Sequence, residues 1–264
     1  MVQSPAQPSA DVHRTATLAP HPVIPGAYKA AENKRAFLDA IFDDTAQDYD
    51  RVERWLSLGS GRWYRREALR RAGLAPGMRI ADVATGTGLV AGEAMGLIGP
   101  TGRLVGIDPS QEMMKRAKER LGIETVCAVA ESLPFAGGSF DFLSMGYALR
   151  HVADLNVAFA EFYRVLRPAG EFGGGRLCIL EITRPGTWLG RAMLRLYLGT
   201  VSRLIGLFGR LSPRTPELWA YYWETIDKCV PPQQVINALR QAGFEDVERS
   251  VIGGVFSEYT AIRR

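Results

Sequence analysis

The stretch Met78–Leu89 reads Met-Arg-Ile-Ala-Asp-Val-Ala-Thr-Gly-Thr-Gly-Leu. Its apolar run, Ile80–Ala84, predicts a buried strand, and the segment that follows, Leu89–Leu97, predicts a helix. The turn Gly86–Gly88 lies between them. Glycine permits a tight turn and a close approach of backbone to ligand, and free N–H groups at the start of a helix would face the same place. Strand, turn and helix together predict a nucleotide-binding site.

The motif alone leaves three interpretations of this turn open. The spacing Gly86-x-Gly88-x-x-Ala91 fits the dinucleotide fingerprint, with alanine in the third position. Asp82 precedes Gly86 by four residues, and this acid followed by a glycine loop resembles the first motif of S-adenosylmethionine (SAM) methyltransferases. An ordinary strand-to-helix turn with Asp82 as a cap is the third interpretation, because short motifs produce false positives.

Composition narrows the class of protein. The chain has 264 residues, 47% hydrophobic and 23% charged, with a net charge of +4. These values are typical of a globular protein, and the charge does not indicate a nucleic-acid partner. Cys127, Cys178 and Cys229 lack a Cys-x-x-Cys spacing, so we expect no disulfide and no metal site. We see no run of the ~18 apolar residues that a transmembrane helix needs, nor an export signal, so we expect a cytoplasmic protein.

The chain divides into a tail and one domain. Residues 1–27 contain five prolines among Ala, Ser, Thr and Gln, which predicts a disordered tail. Residues 28–264 form the domain, which begins with helices over residues 28–75. A helical insertion covers about 186–230, and we predict that it forms a lid over the site.

Strands alternate with helices through the middle of the chain. The predicted strands are Ile80–Ala84, Arg103–Asp108, Thr125–Val129, Phe140–Gly146 and Leu177–Ile182, and the predicted helices include Gln111–Leu121 and Val152–Leu166. This alternation indicates βαβ units in a mostly parallel sheet. Ligands of such sheets bind beyond the carboxyl ends of the strands. Residues 82–88, 108, 129–131 and 146–151 all fall at those ends.

Asp108 ends the second predicted strand, 20 residues after Gly88. A carboxylate there can accept hydrogen bonds from both hydroxyls of a ribose, which serves SAM and NAD equally. It can also cap the next helix, and the two roles are compatible. Met113 lies one turn further on, where it could cover an adenine face or fill the core.

Further segments carry a closer resemblance. They are Phe42…Tyr49-Asp50, the glycine loop, Ala130-Glu131-x-Leu133-Pro134-Phe135, Leu149-Arg150, Tyr163–Pro168, Leu180-Glu181…Arg184-Pro185 and Ala242-Gly243-Phe244. As a set they resemble the ubiquinone/menaquinone-biosynthesis C-methyltransferases over roughly residues 40–262. The resemblance implies a Rossmann-like class I methyltransferase fold, in which helices cover both faces of a mostly parallel, seven-stranded α/β sheet. It also implies SAM as cofactor and a quinol-like ring with a polyprenyl tail as acceptor.

Residue positions and resemblance together give one predicted cofactor site. It comprises Asp82, Ala84, Thr85, Gly86, Thr87, Gly88, Asp108, Met113, Val129, Ala130, Glu131 and Gly146. The chain departs from the family pattern at Val129, where Asn or Asp is usual, and at Gly146, where serine is common. Residues 169–174 resemble an extra loop. These departures leave the identity of the acceptor open.

The catalytic candidates follow the fourth predicted strand, where the acceptor should lie. Methylation of a hydroquinone ring is helped by removal of a phenolic proton, which makes the ring carbon nucleophilic. His151 has a suitable intrinsic pKa for that base, although a polar residue at a helix start is the alternative. Arg150 could stabilise a phenolate, and Tyr147 is its neighbour. Tyr49 could close the pocket or simply pack.

Several alternatives stay open at this stage. The chain could be an O- or N-methyltransferase of another apolar metabolite, a nicotinamide-dependent oxidoreductase, or a non-catalytic SAM- or lipid-binding partner. Trp188–Leu211 combines apolar residues with arginines, which is typical of a helix lying in a membrane interface. A helix pair packed on the core, or a homodimer contact, explains it equally well. The membrane interpretation would place the protein at the inner face of the membrane.

Overall fold

The computed structural model describes residues 17–56, 59–168, 172–208 and 214–264, and of residues 49, 51–52, 54–56 and 201–208 the backbone alone. The helices are α1 (Lys34–Leu56), α2 (Gly61–Arg71), α3 (Leu89–Ile98), α4 (Gln111–Leu121), α5 (Leu155–Val165), α6 (Trp188–Phe208), α7 (Thr215–Asp227) and α8 (Pro232–Gln241). The strands are β1 (Arg79–Val83), β2 (Arg103–Asp108), β3 (Glu124–Cys127), β4 (Phe142–Gly146), β5 (Gly175–Ile182), β6 (Glu245–Ile252) and β7 (Phe256–Arg263).

The seven strands form one sheet in the order β3-β2-β1-β4-β5-β7-β6. Strands β1 to β5 pair in parallel, and β7 runs antiparallel between β5 and β6. The order reverses between β1 and β4, and ligands of open α/β sheets bind at such a switch point. The predicted fold class is therefore confirmed.

The core has one layer on each face of the sheet, and a third buried cluster joins α1, α6 and α7. Neighbouring residues of a strand point to opposite faces, and the buried strand positions separate accordingly. Ala81 and Leu143 pack in a cluster with α5 and α8, whereas Ile80 and Phe142 pack in a second cluster with α2 and α3. Because both faces are covered, the central strands β1 and β4 are buried over almost their whole length.

Several boundaries differ from the sequence-based prediction. The fifth helix begins at Leu155 rather than Val152, because the Asp154 side chain caps it by accepting a hydrogen bond from the Asn156 N–H. Strand β3 ends at Cys127, so Val129 lies in the following turn, where its carbonyl accepts a bond from Ser132. Ser110 caps α4, because its hydroxyl accepts a hydrogen bond from the Met113 N–H.

Part of the predicted tail packs on the domain. The Leu18 N–H donates to Asp154, the Leu155 N–H donates to the Leu18 carbonyl, and the Val230 N–H donates to the Pro20 carbonyl. Further along, Ile24 is 2% exposed. Residues 18–28, named here the N-terminal strap, are therefore ordered rather than disordered. The prediction of a disordered tail over 1–27 is therefore wrong for 17–27, because a few buried side chains without periodicity give no sequence signal; its first sixteen residues lie outside the described part of the chain.

Within the described ranges, none of the helices is both long and apolar enough to cross a membrane.

Candidate active site

A cleft opens at the carboxyl ends of β1, β2 and β4. It is closed from above by α1 and α7. About 820 Å³ of space lies within it, part of which is open solvent at its mouth. Its lining includes Arg35, Asp39, Phe42, Ala84, Gly86, Asp108, Ser110, Met113, Val129, Ala130, Glu131, Gly146, Tyr147, His151 and Tyr222.

Asp108 supplies the cleft with a carboxylate at the end of β2. One of its oxygens accepts a bond from the Gly86 N–H and the other from the Ser110 N–H, each at 2.8 Å. Burial raises the pKa of Asp108 to about 6, although both of these bonds lower it. A carboxylate has about four acceptor positions, so each oxygen keeps capacity for one more donor. Asp108 can thus hold the glycine loop and bind two hydroxyls together.

Asp82 lies beneath the loop, and it does not line the cleft. Its two oxygens accept bonds from the hydroxyls of Thr85, at 2.7 Å, and Ser144, at 2.6 Å. Burial raises the pKa of Asp82 to about 6. The side chain therefore ties the end of β1 to β4 and to the loop, which places it behind the predicted cofactor site.

The other residues of the glycine loop fall into two groups, those that line the cleft and those that lie outside its lining. Ala84 and Gly86 line the cleft, both with positive φ, 55° and 54° respectively. A non-glycine residue in this region stores strain, which is typical of functional sites. Thr87 donates its hydroxyl to Asp50 of α1, and Gly88 caps α3 with a φ of 81°. Thr85, Thr87 and Gly88 lie outside the lining, so they shape the loop.

Four residues of the predicted cofactor site lie together at one wall of the cleft. Met113, Val129, Ala130 and Glu131 all line the cleft near Asp108. Val129 and Ala130 are half-buried, and Met113 is buried. The Glu131 carboxylate accepts bonds from the Ala153 and Asp154 N–H groups, which fixes the turn before α5.

Gly146 and Tyr147 form the opposite wall, at the end of β4. A Cβ at Gly146 would lie 2.5 Å from Val90 Cγ2, so Val90 fills the space that a side chain would need. Tyr147 has a φ of 60°, and its N–H donates to the Leu180 carbonyl. This second strained non-glycine residue stands beside Ala84 at the switch point.

Arg150 does not reach the cleft. It is 2% exposed, forms an ion pair with the buried Glu181 carboxylate, and lies 4.8 Å from the ring centroid of Tyr222. Burial raises the pKa of Glu181, while Arg150 opposes that rise. The structure therefore places Arg150 against Glu181 and outside the cleft lining, whereas the sequence-based prediction placed it against the acceptor. Its charge is already satisfied by a carboxylate on the neighbouring strand.

His151 lines the cleft inside a ring of aromatic side chains. It stacks on Tyr221 with centroids 5.6 Å apart, and its Nδ1 lies 3.3 Å from the Tyr221 hydroxyl. Phe42 meets it edge-on at 5.2 Å, and Tyr222 lies at 5.9 Å. Burial, with Arg150 and Lys34 nearby, holds its pKa well below the usual value. The imidazole is thus neutral at physiological pH.

Sequence reasoning missed several neighbours of His151. Lys34 is buried, and its Nζ donates to the Arg150 and Val152 carbonyls at 3.2 and 2.7 Å. Burial lowers the pKa of Lys34 to about 8. His21, in the N-terminal strap, lies edge-on to Tyr221 with centroids 6.3 Å apart. A lysine at a helix start gave no signal by itself. Tyr49 lies in α1, and its side chain is outside the described part.

The residues present fit SAM. Asp108 offers two oxygens toward a ribose, and the open space beside Gly86, where a Cβ would meet no atom within 4 Å, admits the amino-acid end. Met113 and Val129 give an apolar wall for an adenine ring. A switch-point cleft with these groups, on this sheet order, defines a class I SAM-dependent methyltransferase.

Comparison with known proteins supports the assignment to the SAM-dependent methyltransferases. Residues 28–263 match the model of the ubiE/COQ5 methyltransferase family. The ubiquinone/menaquinone biosynthesis C-methyltransferase of Shewanella halifaxensis is 31% identical over 225 residues, which cover 82% of this chain and 86% of that one. The chain belongs to the ubiE/COQ5 methyltransferase family. The nicotinamide-dependent alternative is thereby set aside.

Solved structures share the fold. A SAM-dependent methyltransferase from Aquifex aeolicus matches with a TM-score of 0.55 at 18% identity, covering 76% of this chain and 89% of that one. Phosphoethanolamine N-methyltransferase 2 of Haemonchus contortus, solved with SAM, matches with a TM-score of 0.53 at 17% identity, covering 76% and 52%. SAM is thus the cofactor of the class.

Proposed function

We propose that this methyltransferase acts on a ring carbon of a quinol-type aromatic acceptor with an apolar tail. One observation carries the proposal: His151 lines the same cleft as Asp108, and aromatic rings surround it. Aromatic side chains favour a planar aromatic ligand in stacked or edge-on arrangements. The match to C-methyltransferases of quinone biosynthesis supports the same class of acceptor.

The proposed residues have separate tasks. Asp108 and the Gly86 loop hold the cofactor, and SAM supplies a sulfonium-activated methyl group when bound. Phe42 and Tyr222 orient the acceptor ring against His151. Lys34 fixes the turn that carries His151 by bonding its carbonyls. Holding the ring in line removes much of the entropic barrier to the transfer.

His151 is the proposed base. Its Nδ1–H donates to the Tyr221 oxygen in the tautomer that the role requires, and Nε2 then accepts the phenolic proton. Loss of that proton raises electron density on the ring carbon, which would take the methyl group as the S–CH3 bond of SAM breaks and S-adenosylhomocysteine leaves. The methylated carbon would then lose its hydrogen as a proton, which restores the aromatic ring. A low pKa keeps the imidazole neutral, so its titration lies below neutrality rather than near it.

The test is methyl transfer from radiolabelled SAM to a panel of acceptors. Prenylated benzene and naphthalene hydroquinones are compared with a catechol, which accepts on oxygen, and with an aromatic amine, which accepts on nitrogen. We expect turnover with the hydroquinones only, rising with tail length. Turnover confined to the catechol or the amine would replace this proposal with O- or N-methylation.

A matched pair of variants tests the base. His151→Gln should lower kcat by ~10²–10⁴ and leave the Kd for SAM unchanged. His21→Gln is the control, because His21 touches the same tyrosine but does not line the cleft, and it should keep kcat within a few-fold. Equal losses in both variants would make His151 a packing residue.

A further inference from the structure

The outer face of the first half of α6, over residues 188–198, is largely apolar. Inward, α6 packs on α1 and α7, with Leu198 buried and Leu194 half-buried. Outward, the first turns carry a set of exposed large hydrophobic side chains: Trp188, Leu189, Met193, Leu196 and Tyr197. With 3.6 residues per turn they cover roughly 180° of the helix. A surface helix normally turns polar residues to this side.

Two arginines border this face. Arg191 and Arg195 lie on the same turns, and in the part of the chain that the structure describes neither is paired with a carboxylate. The Arg195 guanidinium lies 5.8 Å from the Trp223 ring centroid, and Arg191 Nε is buried without a hydrogen-bond partner. The sequence has no acidic residue between Glu181 and Glu217. The surface therefore combines apolar area with uncompensated positive charge.

We propose that these seven residues, named here the α6 face, bind the surface of an anionic lipid bilayer. Tryptophan and tyrosine favour the membrane–water interface, and arginine binds phosphate through two parallel hydrogen bonds. A second copy of the chain fits less well. A twofold contact would bring the arginines of both copies to one interface that contains no carboxylate.

The α6 face lies one helix away from the cleft. Helix α6 packs on α7, and Tyr222 of α7 lines the cleft beside His151. If the acceptor is the lipid-tailed quinol proposed above, it would reach the cleft from the bilayer side. Only this step rests on the proposed function, because lipid binding follows from the α6 face itself.

Co-sedimentation with vesicles tests the proposal. Vesicles of phosphatidylcholine alone are compared with vesicles containing phosphatidylglycerol, at low and high salt. We expect binding to the anionic vesicles only, weakened by salt because screening shortens the reach of the charges. The pair Arg191→Glu and Arg195→Glu should lower partitioning roughly 25-fold, from ~1 kcal/mol per basic residue. Trp188→Ser with Leu196→Ser, which removes apolar area from the face, should abolish binding to the anionic vesicles.

The control changes the same charge elsewhere. Lys115→Glu with Lys118→Glu, at two exposed positions of α4, should leave partitioning unchanged. Equal binding to neutral vesicles, or none to either kind, would overturn the proposal. So would a dimer that both sets of α6 variants dissociate, measured by light scattering without lipid, because the face would then be a contact between copies. Methyl transfer to a short, tail-free acceptor tests the proposed function separately.

Discussion

At the scale of the residue, Asp108 carries the cofactor assignment. Each of its oxygens already accepts a backbone bond and has capacity for another donor, and the residue lines the cleft. Asp108→Asn should weaken SAM binding roughly 100-fold, because charge-assisted bonds to hydroxyls are worth ~1.5–3 kcal/mol. Isothermal titration calorimetry measures this. Asp246→Asn, at an exposed position of β6 whose φ of 48° asparagine tolerates, is the control.

The pKa of Asp108 predicts a pH dependence of SAM affinity. Hydroxyl donors favour the carboxylate over the carboxylic acid, so protons compete with SAM. Because the pKa is about 6, affinity should be constant above pH 7 and fall as the pH drops through 6. Asp82 has a similar pKa, and Asp108→Asn separates the two: its titration should flatten. An unchanged pH profile in that variant would assign the effect to Asp82.

The buried ion pair between Arg150 and Glu181 leads to a prediction about the stability of the protein. Arg150→Met leaves the buried Glu181 charge without its partner, which should lower the free energy of unfolding by ~3–5 kcal/mol. Arg150→Met with Glu181→Leu should recover most of the loss, since two apolar side chains replace the pair. Urea denaturation gives both values. Wild-type stability with lost turnover in the single variant would return Arg150 to the acceptor site.

At the scale of the element, the N-terminal strap is the largest departure from the sequence-based prediction. It joins the start of α5 to the loop before α8, and its His21 packs against Tyr221, which in turn stacks on His151. We expect Ile24→Ala to destabilise the protein by ~2–5 kcal/mol, as for a buried aliphatic residue. Val23→Ala, at an exposed neighbouring position, should cost less than ~0.5 kcal/mol.

Thermal and urea unfolding compare the two strap variants directly. A disordered tail would leave both at wild-type stability, and that result would contradict the packing described here.

Helix α1 matters to the site because its side chains bond to residues at the cofactor end of the cleft. Its Asp43 accepts from the Ser110 hydroxyl, and its Asp50 accepts from Thr87 while pairing with Arg120. Helix α1 therefore closes the cofactor end of the cleft.

At the scale of the whole molecule, the sheet and the cofactor end could be predicted from sequence because they depend on local signals. An apolar run before Gly86 predicts β1, and an acid ends β2. Because β1 and β2 are parallel neighbours, Gly86 and Asp108 lie at the same edge of the sheet. The acceptor end depends on distant contacts. Whether Arg150 faces a ligand or Glu181, and whether His21 packs or moves freely, is decided by tertiary neighbours that no local pattern encodes.

One measurement tests the central claim, that a single cleft joins Asp108 to His151 and directs a methyl group to a ring carbon. SAM carrying a ¹³C-methyl group is turned over with a prenylated hydroquinone, and the product is analysed by NMR. The account predicts a methyl signal coupled to an aromatic carbon, with a yield that falls ~10²–10⁴-fold in His151→Gln. A methyl group on oxygen, or a C-methyl product formed at full rate by His151→Gln, would contradict it.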